Sequence, residues 1–172
     1  MKKLFAALVA SVCLAFPAFA QTRLPGPSSI SPETAEMLFL TEMDAWRTAC
    51  REMKVLCSAW APPVVTYGLL KGPFGRYELG SHTIQLDIRI LGQSFSYVVM
   101  VHEMVHYLQY TVFGPILSSC EAEEQAFRIG MKVALDLNIQ DPRIKTWTEM
   151  KHLYGCGPLP PRRDTWRSGT RF

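Results

Sequence analysis

The residues of this chain that could do chemistry are concentrated in one short stretch, YVVMVHEMVHYLQY, at positions 97–110. His102 and His106 are four residues apart, so on a helix they project from one face and can hold one metal ion. Glu103 follows His102 directly, so it lies about 100° further around the helix, beside such an ion rather than bound to it. From there its carboxylate can take a proton from a water that the metal has made more acidic. The spacing therefore predicts a zinc-binding helix with Glu103 as the general base.

The apolar surroundings of these three polar residues favour the metal interpretation. The alternative is a pair of hydrogen-bonded core histidines with a glutamate on the surface. Most other residues of the stretch are apolar, and burying an imidazole without a partner costs free energy. A bound metal supplies that partner, and the HExxH pattern on a helix is a signature of zinc hydrolases.

A catalytic zinc usually has three protein ligands, so a third ligand must come from elsewhere. The metzincin extension of the motif requires a glycine at 109 and a histidine at 112, but this chain has Gln109 and Val112. The other histidines that remain as candidates, His82 and His152, lie outside the two helices predicted around the site.

The stretch CEAEEQAFRIGMKVALDL, which begins at position 120, offers three acidic candidates for the third ligand. Glu123 precedes Ala126 by three residues and Gly130 by seven, so it extends the stripe of small and apolar residues that can pack on the first helix. Glu124 and Glu121 align less well with that stripe. We therefore predict a His₂Glu zinc site made of His102, His106 and Glu123, with Glu124 as the alternative ligand.

Two further roles have candidates among the polar residues. Gln109 shares the ligand face and could hydrogen-bond the site, although it could equally be a surface amide. Tyr154 and His152 are candidates for the oxyanion donor because a disulfide would tether their segment to the third-ligand helix. Tyr107 and Tyr110 lie on the ligand helix itself, where packing is the expected role of a tyrosine.

The elements that must position these residues indicate an α+β fold. Ser31-Pro32-Glu33 is a helix start signal, and apolar residues recur at helical spacing from there to about residue 54. The segments VVTYGLL, FGRYELG and HTIQLDIRI read as three strands of a small, mainly antiparallel sheet, and Gly80-Ser81 reads as a turn. Helices are then predicted at about 93–112, 119–136 and 142–153.

The N-terminal sequence has the three regions of a secretory signal peptide, with a cleavage site near Ala20. Without residues 1–20 the formal net charge falls from +3 to about +1. We expect an extended lead-in over residues 21–30, one zincin-like domain over 31–158 and a basic tail over 159–172. We expect a periplasmic or secreted protein that has no membrane span and binds no nucleic acid.

Four cysteines remain after the signal peptide, and an even number in an exported chain indicates two disulfides. Three pairings are possible. We favour Cys50–Cys57 as a local link and Cys120–Cys156 as a long-range one. Their spacings do not match a zinc-ribbon pattern, which needs paired C-x-x-C units.

The run HEMVHYLQ, preceded by HTIQLDI and followed by CEAEEQAF, resembles small bacterial proteins of an HExxH metallopeptidase family that are minigluzincin-like in plan. The second motif of that family has the form Glu-x-x-Ala-aromatic, and it matches Glu123, Ala126 and Phe127 here. The resemblance covers roughly residues 75–135. It implies a zinc site and a zincin-like fold, and by analogy it places the substrate-binding sheet edge at residues 82–88.

The function expected from these residues is hydrolysis of peptide bonds in a peptide or protein substrate by one zinc ion per chain. One alternative is a zinc amidase that acts on a non-protein substrate such as cell-wall material. Another is a non-catalytic binding module in which zinc only holds the helices together. Glu103 argues against the module, because a structural zinc site has no use for a general base.

Overall fold

The computed structural model of the protein describes residues 31–114 and 119–149, and for residues 148 and 149 the backbone alone. Four helices and a small three-stranded mixed sheet make up these parts of the chain, which confirms the α+β prediction. In chain order the elements are α1 (Pro32–Met53), β1 (Val64–Gly68), β2 (Gly75–Glu78), β3 (Thr83–Asp87), α2 (Ser94–Val112), α3 (Ser119–Asp136) and α4 (Pro142–Glu149).

Helix α1 begins at the predicted signal. The Ser31 side chain accepts a hydrogen bond from the backbone N–H of Thr34, and Pro32 fills the first helical position. The C-terminal half of α1 buries Ala45, Trp46 and Ala49 in the core. The predicted disulfide between Cys50 and Cys57 is present and ties the end of α1 to the short 3₁₀ turn that follows it.

The sheet has the strand order β1–β3–β2, with β1 parallel to β3 and β2 antiparallel to β3. The predicted alternation of β3 is seen in Ile84 and Leu86, which point into the core. Two expectations were wrong: the sheet is mixed rather than mainly antiparallel, and the strand predicted as its edge, residues 82–88, is the central strand. Within the described parts of the chain, β2 is the strand beside α2 that pairs on one side only, since β1 pairs with the opposite side of β3.

Helix α2 is buried on nearly all sides because it packs against α1, the sheet and α3 at once. One stripe of the helix, with Val99, Glu103 and Tyr107, faces β2. A second stripe, with His102, His106 and Gln109, faces α3. The spacing of the motif thus divides its polar residues between two neighbouring elements.

The helix bounds agree closely with the predictions, although the part of the last helix predicted beyond residue 149 lies outside the described residues. The signal peptide at 1–20, the lead-in at 21–30 and the basic tail at 159–172 also lie outside them. Among the described helices, none combines the length and the apolar character that crossing a membrane requires.

Candidate metal centre

Helices α2 and α3 bring three potential metal ligands together in the buried interior. The Nε2 atoms of His102 and His106 lie 3.1 Å apart. Glu123, on α3, places Oε2 3.4 Å from Nε2 of His102 and Oε1 3.4 Å from Nε2 of His106. Within residues 31–114 and 119–149, these three residues form a group with the composition and spacing to hold one metal ion.

The distances between these donor atoms fit a tetrahedral zinc ion. Zinc–nitrogen and zinc–oxygen bonds of roughly 2.0–2.1 Å place neighbouring ligand atoms of a tetrahedron about 3.3 Å apart. The two imidazole nitrogens are 3.1 Å apart and each has a carboxylate oxygen of Glu123 at 3.4 Å, distances close to that value. Glu123 Oε2 is also buried without a hydrogen-bond partner, a costly arrangement that a bound cation would relieve.

The protonation states favoured by the protein suit metal binding. Burial lowers the pKa of His102 to about 4, so its imidazole is neutral near pH 7 and keeps a lone pair for a metal. Burial alone would raise the pKa of Glu123, but the two imidazoles beside its carboxylate bring it down to about 2. The pKa of His106 is raised because Glu123 and Glu103 outweigh the effect of burial, so a metal ion would bind in competition with a proton there. Ionised Glu123 supplies negative charge for a divalent cation.

The structure distinguishes the three acidic candidates on α3. Glu123 is the one whose carboxylate reaches the two imidazoles. Glu121, two residues earlier, is exposed, and the partly exposed Glu124 is not a member of the ligand group. The buried Ala126 and Gly130 lie on the same face of α3 as Glu123. This face packs against α2, as the stripe of small and apolar residues predicted.

Glu123→Ala is therefore expected to lose most of its zinc, whereas Glu124→Ala keeps the wild-type content. The first variant removes one of three ligands, and the second removes a side chain outside the cluster. Metal analysis of the two purified variants, prepared in parallel, measures the difference. Equal zinc contents, or loss in Glu124→Ala alone, would show that the third ligand has been misassigned.

Gln109 fixes the orientation of His106 through a hydrogen-bond network. Its side-chain nitrogen donates to the backbone oxygen of Ala122 and to Oε1 of Gln125, each at 2.9 Å. Its own Oε1 is therefore left to accept a hydrogen bond from Nδ1 of His106 at 2.8 Å. This network places the imidazole proton on Nδ1 and leaves the Nε2 lone pair directed at the cluster. Gln125 was not anticipated from the sequence.

Glu103 is buried between the metal cluster and strand β2. Burial raises the pKa of its carboxyl to about 7, and the negative charge of Glu123 acts in the same direction. A pKa near neutrality suits a group that must both accept and return a proton. The position of Glu103 beside the ligands, rather than among them, agrees with the 100° offset expected from the motif.

Gly75 allows β2 to approach Glu103 closely. A Cβ atom at this position would lie 2.7 Å from Cγ1 of Val99 and 2.8 Å from Oε1 of Glu103. This role of Gly75 was not predicted from the sequence, although an isolated glycine within a strand is a recognised sign of close backbone approach.

Gly75→Ala is expected to lower the free energy of unfolding by about 1–3 kcal/mol, because the added methyl group overpacks the boundary between β2 and α2. Gly68→Ala is the matched control, since the same methyl group in β1 meets no atom within 4 Å. Chemical denaturation of both variants measures the effect. If the two variants were equally stable, the close approach at Gly75 would be refuted.

Other predicted site residues lie away from the cluster. His82 is exposed, and its Nδ1 is 2.9 Å from the hydroxyl of Tyr77. Tyr107 is buried and donates a hydrogen bond to the backbone oxygen of Ala61, so it has a packing role. Two oxyanion candidates, Tyr154 and His152, lie outside the described residues, as does one half of the Cys120–Cys156 disulfide, and these assignments stay predictions.

Comparison with known proteins adds no further assignment. No protein-family model, curated protein or solved structure matches the chain.

Proposed function

We propose that the protein is a zinc-dependent metallopeptidase. The observation that carries this proposal is the close grouping of the ligand atoms of His102, His106 and Glu123, with the buried carboxylate of Glu103 next to it. The zinc ion would be held by those three residues, which leaves one coordination position open, as catalytic sites require.

When bound, zinc supplies Lewis acidity that polarises the scissile carbonyl and makes water a better nucleophile at neutral pH. Glu103 accepts the proton of the attacking water and later gives it to the departing amine. Its pKa of about 7 makes both transfers accessible at the same pH. Gln109 keeps His106 in one tautomer and orientation during this exchange.

The strand geometry supports an extended peptide as the substrate. Strand β2 pairs with β3 on one side, and among the described residues it has no strand partner on the other. Such an edge can bind an extended chain through backbone hydrogen bonds, largely independently of side-chain identity. The edge proposed here is Gly75–Glu78, which lies against Glu103, in place of residues 82–88.

An export pathway is part of the same proposal. The first twenty residues have the pattern of a cleavable signal peptide, and the Cys50–Cys57 disulfide is of a kind that persists in oxidising compartments. N-terminal sequencing of protein recovered from the periplasm or the medium is expected to begin at Gln21.

The direct test is digestion of an unbiased peptide library by the purified mature protein, with and without a zinc chelator. We expect cleavage that stops on chelation and returns when zinc is added back. An intact library in the presence of zinc-loaded protein would contradict peptidase activity. Cell-wall fragments tested in parallel then separate an amidase, which releases products from them, from a binding module, which does not.

A further inference from the structure

The two histidine ligands are held in different ways. His106 has a side-chain hydrogen-bond partner on Nδ1, supplied by Gln109 at 2.8 Å. His102 has none: its Nδ1 is buried, and no acceptor in the described parts of the chain meets hydrogen-bonding geometry with it. The backbone of Ala126 approaches the ring and favours its protonated form, but it does not complete that geometry. The orientation of His102 must therefore depend on packing.

That packing consists of two aromatic rings from two different helices. Phe127 of α3 lies with its ring centroid 4.6 Å from that of His102, at an interplanar angle of 59°. Trp147 of α4 lies 4.9 Å away at 63°. The two aromatic rings also contact each other, with centroids 4.8 Å apart. The imidazole is thus confined by both rings while Nε2 faces the cluster.

Trp147 is itself fixed by its surroundings. It is buried, and its ring packs edge-on against Phe95 with centroids 5.9 Å apart. Gly130 of α3 provides the space for the indole, since a Cβ atom there would lie 2.9 Å from Cη2 of Trp147. Arg143 places its guanidinium 4.8 Å from the centre of the Phe95 ring, which adds a second contact between α4 and α2.

We propose that Trp147 is a positioning residue for His102, so that docking of α4 completes the metal centre. This inference rests on the metal site of the proposed function, and it adds an element that neither the HExxH motif nor the Glu123 helix contains. The ligand concerned is a divalent cation of the zinc type. Trp147 acts on it indirectly, by restricting the rotation of the imidazole.

The expected size of the effect follows from what the packing replaces. Residues that orient a metal-bound histidine typically contribute 10–100-fold to metal affinity. His106 is oriented by its hydrogen bond with Gln109, and His102 is oriented by packing in which the Trp147 ring takes part. Weakening the ring contact is therefore expected to raise the zinc dissociation constant by about 10-fold or more.

Three variants of the full mature chain test the proposal. Trp147→Phe replaces the indole with a smaller ring. Gly130→Ala keeps the indole but adds a methyl group that pushes it away from α3. Trp46→Phe is the control, because it makes the same chemical change at a buried tryptophan that packs on Tyr107. Two measurements are made on each protein: the zinc dissociation constant by chelator competition, and the absorption spectrum of the Co²⁺-substituted form.

We expect both test variants to bind zinc about 10-fold or more weakly and to show an altered Co²⁺ spectrum, whereas Trp46→Phe retains the wild-type affinity and spectrum. Denaturation of the metal-free proteins identifies which variants remain folded under the binding conditions. Trp147→Phe and Gly130→Ala each weaken the contact between the Trp147 ring and the His102 imidazole. One of the two variants is therefore sufficient for the test if it remains folded.

The outcomes separate this inference from the proposed function. Wild-type affinity and an unchanged spectrum in a folded test variant would overturn the positioning role and leave the metal site intact. Absence of zinc binding by the wild-type protein would overturn both. A loss of stability without a change in affinity would show that Trp147 only packs, which also overturns the proposal.

Discussion

His106→Ala is expected to leave the purified protein without zinc, while the wild-type protein contains about one zinc ion per chain. The substitution removes an imidazole nitrogen that lies 3.1 Å from Nε2 of His102 and 3.4 Å from Oε1 of Glu123. It also leaves Oε1 of Gln109 without its hydrogen-bond donor, so the hydrogen-bond chain that runs from α3 through Gln109 to position 106 is broken. Elemental analysis after dialysis against metal-free buffer measures the zinc content.

The matched control for this prediction is His82→Ala. His82 is exposed and hydrogen-bonds to Tyr77 rather than to the ligand cluster, so the control removes an imidazole without touching the site. We expect it to retain the wild-type zinc content. Full zinc retention in His106→Ala, or a wild-type protein that holds no zinc, would refute the metal site.

Glu103→Gln is expected to keep its zinc and to lose hydrolysis of unfolded protein substrates by a factor of about 10²–10⁴. The amide has nearly the same size and shape as the carboxylate, so it fits the same buried position beside β2. It cannot accept the proton of the attacking water. Zinc analysis and a digestion rate measured on the same sample separate binding from chemistry.

Glu124→Gln makes the same change outside the ligand cluster and is expected to retain both zinc and activity. If Glu103→Gln cleaved substrate at the wild-type rate, Glu103 would not be the general base. Loss of zinc from Glu103→Gln would instead assign this residue a structural role in the site.

The helices that carry the site were predictable from the sequence because their signals are local. The Ser31-Pro32 start of α1 and the apolar periodicity of α2 each depend on residues within a few turns of one another. The proximity of Glu123 to the histidines was also accessible, since its spacing from Ala126 places it on the face that packs on α2.

The order of strands in the sheet and the contacts of Trp147 and Gly75 were harder to predict from the sequence, because they depend on residues that are distant along the chain. The alternation of β3 shows which residues are buried, but it is the same whether the strand lies at an edge or in the centre. Trp147 is about forty-five positions from His102 along the chain, and no periodicity links the two. Gly75 has meaning only once β2 is known to cross α2 at Glu103.

The three candidate ligands share one antiparallel pair of consecutive helices, and Glu123 lies 21 positions after His102. Closing a loop of that length costs little conformational entropy compared with joining distant parts of the chain. Metal binding would stabilise the contact between α2 and α3, because binding free energy contributes directly to the structure that it requires. Because Trp147 packs on His102, binding of the metal and docking of α4 would also stabilise each other.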